Sequence, residues 1–326
     1  MALITRSDIK AHLEATVMSN FLVGQKQSHV PLRGAFCQEY PSKKAFEIMA
    51  SMGALPWPIQ NGGKLGSGGV DARTGAQKTG GLHEGGPITI FGGEEQGMLV
   101  FPVDWEIPIS ITQNAIDDDQ TGQLIEWAQS AAGRYEQHKD YLAFAALNAG
   151  DATTYGIAYD GLNFYSNSHV DPGAEYTTVQ DNLNGLTLAP DNFKTVKIAA
   201  SKFLDSRGQS VGLNHNLLIV PSDLEYEAAQ ITTNREASDT ANREMNPYAG
   251  NVKALVAPGG WLDTTAWFLV DPNQLAKPLG LVIRKQPQAF AWEDPSGPGG
   301  GTWNVKIHAR YNVFYQDWRL AVMGNT

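Results

Sequence analysis

Ser166, His169 and Asp171 place the three residue types of a hydrolase relay in one short segment. A serine nucleophile needs a base and an orienting acid converging on it, usually from a sharp strand-to-helix turn flanked by glycines. Here Tyr165 and Asn167 flank the serine, and side chains so near in sequence seldom meet in that geometry, so the segment reads as a loop turn. His83-Glu84 opens like a zinc-protease helix, but Gly85-Gly86-Pro87 follows, which cannot carry the helix that brings two histidines to one metal. Lys78-Thr79 follows Gln77 in a glycine-rich stretch that no buried strand leads into, which excludes a phosphate-binding loop. Asp117-Asp118-Asp119 offers hard oxygens for a divalent cation but lacks the glycine and outer ligands of a calcium loop, so it reads as the charged start of a helix. The seven histidines are scattered, and each is expected in a core or on a surface. Cys37 is the only cysteine, which excludes an internal disulfide and a paired-cysteine zinc site and indicates a reducing compartment. We assign it to packing or surface. The eight tryptophans read as core or interface anchors. No catalytic residue, cofactor or metal is expected.

The whole-chain properties agree. At 326 residues and 42% hydrophobic, the chain can bury a core spread over two or three sub-regions. Its 34 acidic against 24 basic residues give a formal charge of -10, whereas proteins that grip nucleic acid through its phosphates are usually basic. The first twenty residues carry Arg6, Asp8, Lys10 and Glu14, which interrupt any secretory apolar core. Apolar runs such as Trp267–Val270 and Leu217–Val220 are far shorter than the ~20 residues that span a bilayer, so no membrane partner is expected.

The elements that must position these residues follow from periodicity. Leu13, Val17 and Leu22 suggest a short helix in an N-terminal arm, and Pro41–Met52 is predicted helical, with Ser42 as N-cap and Gly53 as stop. Glycine takes about a third of positions 62–97, with no apolar period to bury a face. Strand-like Met98–Pro102 and Trp105–Ile111 flank that stretch, so it reads as an extension thrown out from a folded body. Leu124, Trp127, Ala128, Ala131, Tyr135, Leu142 and Ala145 follow a 3.6 period up to Gly150, which predicts a spine helix over about 119–149. A polar loop over 159–170 precedes an amphipathic helix at Asp191–Leu204. Strands are predicted at Asn216–Val220, Val252–Val256, Ala266–Val270 and Leu279–Ile283, with a capping box, Ser222-x-x-Glu225, opening a helix over Asp223–Thr232. Trp303, Val305, Ile307, Ala309, Tyr311, Val313 and Tyr315 alternate with polar residues. With Leu279–Trp292 as partner, they predict a long hairpin turning at Glu293–Gly301.

In this order the segments resemble the Mu-like major head subunit family, the gpT group of phage capsid proteins. The resemblance is carried by Tyr40–Gly53 before a long loop, by Ile116-Asp117-Asp118-Asp119, and by Tyr159-Asp160-Gly161-Leu162-Asn163-Phe164-Tyr165-Ser166 with His169. Leu218-Ile219-Val220-Pro221-Ser222-Asp223-Leu224-Glu225, Trp267-Phe268-Leu269-Val270, Arg284-Lys285-Gln286-Pro287, Ala309-Arg310-Tyr311 and a final glycine complete it. The resemblance implies an α+β fold of the Hong Kong 97 type. Its parts would be an N-terminal arm with short helices (1–61), an extended loop (62–103) and a peripheral domain on the spine (104–184). An axial domain (185–278) and peripheral return strands (279–326), with a loop at 293–301 near local threefold axes, would follow.

The function implied is that of a major capsid protein with no enzymatic role, forming pentamers and hexamers of an icosahedral head around double-stranded DNA. Expected partners are other copies of the chain, the DNA without sequence-specific contact, scaffold and portal proteins, and a decoration protein. A negative net charge suits a container that must release its genome. Contacts between copies are expected at Lys64, Lys78, His83, Glu84, Glu293, Asp294 and Pro295. Covalent cross-linking, known in relatives of the fold, would start from a lysine such as Lys64 or Lys78. The alternatives are an encapsulin-like compartment around a cargo enzyme, and a hydrolase using Ser166 or His169.

Overall fold

A computed structural model describes residues 31–52, 95–112, 114, 123–171, 178–206, 208–234, 245–297 and 301–325. The predicted arm helix, most of the glycine-rich extension and the Asp117–Asp119 triplet lie outside the described residues. The chain divides into two compact units. The first comprises Met1–Glu47, Leu99–Ala149 and Ala276–Gln316, and the second Ile48–Met98, Gly150–Leu275 and Asp317–Thr326.

The first unit is a four-stranded sheet with a helix. Strand β1 (Cys37–Pro41) runs parallel to β9 (Leu279–Asp294), which pairs antiparallel with β10 (Thr302–Tyr315); β10 in turn pairs antiparallel with β4 (Val103–Thr112). The predicted hairpin is present. Val305, Ile307, Ala309, Tyr311, Val313 and Tyr315 are all buried, as a period-two pattern requires of one sheet face. The register slips twice: His308 faces Gln288 but Arg310 faces Lys285, so Gln286 and Pro287 bulge opposite Ala309, and Tyr311 then faces Ile283, which leaves Arg284 as a second extra residue. A proline, which has no N–H to give the ladder, fits such a bulge. Helix α1 (Gln123–Asn148) is the spine, and Tyr135, Leu142, Ala143, Phe144, Ala146 and Leu147 are buried on it. Tyr135 Oη donates to the Ile307 carbonyl at 2.6 Å, and Tyr315 Oη to the Ala146 carbonyl at 2.9 Å, which ties the middle and the C-terminal end of the helix to the hairpin.

The predicted helix over Pro41–Met52 is not formed. Pro41 ends β1, and Glu47–Met52 is strand β2, paired with β3 (Glu95–Val100) in a two-stranded ribbon. Ser42 caps no helix: its backbone N–H donates to the Ile283 carbonyl at 2.9 Å and its hydroxyl to Glu47 Oε1 at 2.7 Å. An isolated twelve-residue helix is marginal in water, and here Pro41 ends the ladder to β9 while Glu47–Met52 is held as extended chain by pairing with β3.

The second unit has a five-stranded sheet in the order β5 (Leu183–Asn184), β11 (Ala321–Gly324), β8 (Trp267–Val270), β6 (Leu217–Val220), β7 (Lys253–Val256). The apolar runs predicted as strands are its central members, and every residue of β6, β8 and β11 is buried. Helix α2 (Pro190–Ala200) buries Phe193, Val196 and Ala200 and stops before the predicted end. Phe203 is buried beyond it, and Leu204 bridges to Ser210. The capping box at Ser222 is not made. Ser222–Leu224 is a 3-10 turn, in which the Pro221 carbonyl accepts from the Leu224 N–H at 3.1 Å, and helix α3 runs Glu225–Thr232.

Two glycines are required by close approach. A Cβ on Gly324 would overlap the Trp267 ring across the β8–β11 ladder, and one on Gly280 would overlap Phe314. The final glycine of the sequence motif is thus the floor under a fully buried tryptophan. Gly324→Ala is expected to lower stability by about 1–3 kcal/mol, the usual cost of overpacking a filled core. A thermal melt of the variant measures this, and an unchanged midpoint would mean that Trp267 has room to move.

Candidate assembly surfaces and the buried clusters behind them

The hairpin tip is built by the end of β9 and the start of β10. Glu293 is half-buried, and Asp294 and Pro295 are exposed. Asp294 Oδ1 accepts from the Ser296 N–H at 3.0 Å, and the Asp294 carbonyl from the Gly297 N–H at 3.2 Å, closing a tight turn. Of the residues expected to contact other copies, these three stand together on this tip. Lys64, Lys78, His83 and Glu84 lie outside the described residues.

The tip is carried on a sheet whose root is locked by a cluster of charges. Arg33, 3% exposed, donates to Asp140 Oδ1 at 2.7 Å, to Glu136 Oε2 at 2.9 Å and to Glu39 Oε1 at 2.5 Å. Asp140 Oδ2 accepts from the Leu32 N–H at 2.9 Å. Lys139 Nζ donates to Glu136 Oε1 at 2.7 Å and to Gln286 Oε1 at 3.2 Å, and so joins the spine to the bulge of β9. Burial alone would raise the Glu136 carboxyl, but its hydrogen bonds and charge contacts with Lys139 and Arg33 outweigh that and hold it below the usual range. Sequence reasoning missed this cluster. The i,i+3 pairing of Glu136 with Lys139 is readable on a helix, but nothing local announces Arg33 as a third member. Beside it, burial pushes the Cys37 thiol up to about 12, which leaves it without thiolate character and assigns it to packing.

In the second unit, His169 and Asp160 are each completely buried, with His169 Nδ1 donating to Asp160 Oδ2 at 2.5 Å. His169 Nε2 faces the Phe164 carbonyl at 3.3 Å and Asn182 Oδ1 at 3.1 Å. Asn182 Nδ2 donates to the carbonyls of Phe164, Trp318 and Ala321, so its oxygen must be the acceptor. Each ring nitrogen is thus engaged by an oxygen of the surrounding loop. The imidazole stacks on Trp318, centroids 4.1 Å apart and planes 2° apart, and Arg319 lies over the same indole at 4.4 Å. Arg319 also binds Asp171 and the Tyr159 hydroxyl, and Ser166 Oγ shares a hydrogen bond with Ser168 Oγ at 3.1 Å. The three residue types of a hydrolase relay therefore each bond elsewhere. A ring sealed from solvent, with both nitrogens held by neighbouring groups, has no open position from which to take a substrate proton. The polar loop holding the histidine is a buried knot tying 159–171 to the C-terminal strand.

His215 in the same unit is 1% exposed; its Nε2 donates to the Arg319 carbonyl at 2.9 Å, and its Nδ1 has no partner. Burial depresses its pKa below 6.5, with Lys197 reinforcing that, while the Arg319 hydrogen bond and Asp271 oppose it. Because the unfolded chain takes up this proton near pH 6.5 and the folded one does not, the associated stability is present above that pH and is lost as pH falls below it. His215→Gln is expected to flatten the decline of melting temperature between about pH 7 and pH 5. An unchanged slope would assign the decline to other groups, such as His138, whose pKa burial also lowers.

Among the described residues no group of side chains has the makings of a metal site, and no helix is long and apolar enough to cross a membrane. The profile of the phage capsid protein family matches residues 100–323, which includes the spine, the hairpin and the sheet of the second unit. No curated protein matches the chain in sequence. Among solved structures, the procapsid of bacteriophage JBD30 is similar at 17% identity, over 99% of this chain and 76% of that one, with a TM-score of 0.51. Microbacterium phage Oxtober96 is similar at 12% identity over 99% of both chains, with a TM-score of 0.53. A virus-like particle from Pyrococcus furiosus is similar at 8% identity, over 96% of this chain and 99% of that one, with a TM-score of 0.50. These likenesses establish the Hong Kong 97 type of α+β fold. With more than two thirds of its length matched by that profile and its sheets, spine and hairpin in place, the chain belongs to the phage capsid protein family.

Proposed function

We propose that this chain is the major shell subunit of a tailed-phage head, with no enzymatic role, closing with its own copies into an icosahedral container for double-stranded DNA. Membership of the phage capsid protein family carries the reading. An acidic chain with two buried charge clusters, each internally paired, is suited to rigid units that meet other units rather than substrates. In this reading the Mu-like head subunits are its nearest group, the first unit takes the peripheral role and the second the axial role. The extension over 62–103 lies on a neighbouring copy, with Lys64, Lys78, His83 and Glu84 among its contacts. Scaffold, portal and decoration proteins would be its other partners, and assembly would take place in the host cytoplasm.

The test is size-exclusion chromatography with negative-stain microscopy of the chain expressed alone, followed by nucleic-acid analysis of whatever particles form. Closed shells, tubes or capsomer rings are expected, and particles from infected or induced cells should hold DNA. Particles filled instead with one cargo protein would make it an encapsulin-like compartment. A 35.3 kDa monomer at all concentrations and salts, with and without co-expressed head proteins, would overturn the reading.

A further inference from the structure

The sheet of the first unit has two open edges, and only one of them is protected against a further strand. The Gln316 N–H donates to the Pro278 carbonyl at 2.8 Å, so the even-numbered residues of β10 turn their main-chain groups toward β9 and the odd-numbered ones toward β4. On β4, Asp104, Glu106, Pro108 and Ser110 lie opposite even-numbered β10 residues and therefore turn theirs outward. Pro108 has no N–H to offer there, and Asp104 and Glu106 add charge, which closes this edge. On β9 the same alternation gives Gln288, Phe290 and Trp292 to β10 and turns the main chain of Ala289 and Ala291 outward. Strand β1 accompanies β9 only as far as Ile283, and among the described residues no strand pairs with that side of β9 beyond it. From Gln288 to Trp292 this edge carries no charge and no proline. Phe290 and Trp292, two positions apart and so on one face of the strand, are 50% and 45% exposed, although Lys285 Nζ lies 5.8 Å over the Phe290 ring.

An edge of this kind is a template for another extended strand. A second copy of the same edge fits it, because Ala289-Phe290-Ala291 reads the same in both directions. Laid antiparallel about Phe290, the outward N–H and C=O of Ala289 meet those of Ala291 in the other copy, and the reverse pair forms on the far side. Phe290 then faces the same residue of the second copy at a position without main-chain bonds, where side chains come closest, and each Trp292 reaches diagonally to the other Phe290. The carboxylates of Glu293 in the two copies stand at opposite ends of the pair, about 20 Å apart along the strands, so like charges do not meet. Resting on the shell-subunit reading, we infer that the Gln288–Trp292 edges of two copies pair antiparallel about Phe290, across a local two-fold axis of the shell. The bulge at Gln286 and Pro287 and the turn after Asp294 confine the pairing to that stretch. So short a contact falls below the ~1,000 Å² of a stable interface, and it adds to the other contacts of a shell rather than holding a free dimer.

The test is disulfide trapping in particles of the full-length chain. Phe290→Cys chains should link to one another on mild oxidation, since opposed Cα atoms at ~4.5 Å lie within disulfide reach. Trp292→Cys chains, whose cysteines would stand about 14 Å apart, should not. Cys37 is buried and adds no background. Particles mixing Gln288→Cys with Trp292→Cys chains should link only between the two kinds, which serves if loss of the Phe290 ring prevents assembly. In a second arm, Ala291→Pro removes an outward N–H and no bond to β10. It is expected to raise the concentration at which half of the chain assembles about tenfold, while Ser110→Pro on the β4 edge leaves it unchanged. Circular dichroism melts show whether both proline variants fold, and if either does not, the cross-links decide. Particles that yield neither the Phe290→Cys nor the mixed cross-link, Trp292→Cys chains that link as readily, or folded Ala291→Pro chains that assemble no worse than Ser110→Pro chains would overturn the edge pairing while leaving the shell-subunit reading standing. A parent chain that never assembles would remove both.

Discussion

Replacing His169 with alanine is expected to destabilise the second unit by about 3–5 kcal/mol, the cost of leaving a buried charge without its partner. Asp160 is fully buried, and apart from the imidazole its carboxylate accepts from the Leu162 N–H, at 3.2 Å. The substitution also strips one face of Trp318 and takes a donor from Asn182, whose amide holds three carbonyls of the loop and the C-terminal segment. Thermal and urea melts followed by far-ultraviolet circular dichroism measure the loss. His169→Ala with Asp160→Ala should cost less than the sum of the singles, because the double variant strands no charge. A His169→Ala chain that melts normally and assembles, but loses hydrolysis of an activated ester, would instead make the ring a catalytic base.

The second large effect is expected in the first unit, where Arg33→Met should cost about 3–5 kcal/mol. Arg33 and Lys139 face three carboxylates, Glu39, Glu136 and Asp140; without the guanidinium, Lys139 alone is left against them. Asp140, the most deeply buried of the three, would lose its guanidinium partner and keep the Leu32 N–H. The loss should shrink when Asp140→Asn is added, since the amide can still accept from Leu32 and carries no charge. It should also shrink in acid. The Glu136 carboxyl sits below its ordinary value, so its contribution is complete above that value and is lost as pH falls through the depressed one. A melt series from neutral to acidic pH that shows a constant gap between Arg33→Met and the parent would refute the electrostatic origin.

Much of the fold is legible in the residues. The 3.6 period from Ala131 to Ala145 places the spine, and the period-two alternation to Tyr315 places the hairpin and its buried face, because each element must present one apolar side to a core. Uninterrupted apolar runs at Leu217–Val220 and Trp267–Val270 mark strands covered on both faces, as the sheet of the second unit requires. The tip residues Glu293, Asp294 and Pro295 follow from the turn between two strands. The failures share one cause. Pro41–Met52 carries a helical spacing of apolar residues, yet its backbone groups go to partners distant in the sequence, Leu279–Ile283 for β1 and the strand at Glu95–Val100 for β2. The capping box at Ser222 has the right letters, but Pro221 sets a 3-10 turn there.

Residue type and spacing thus determined the spine, the hairpin and the buried central strands, where a local period or an apolar run was strong, while the order of the motifs resembled that of capsid proteins. Tertiary structure alone decided the partners. His169 went to Asp160 rather than Asp171, Arg33 to a helix over one hundred positions away, and Gly324 to the face of Trp267. A period reports the direction in which a side chain points. The group it meets there depends on long-range packing, where a buried charge must find a counter-charge and a close-packed ring must find a glycine.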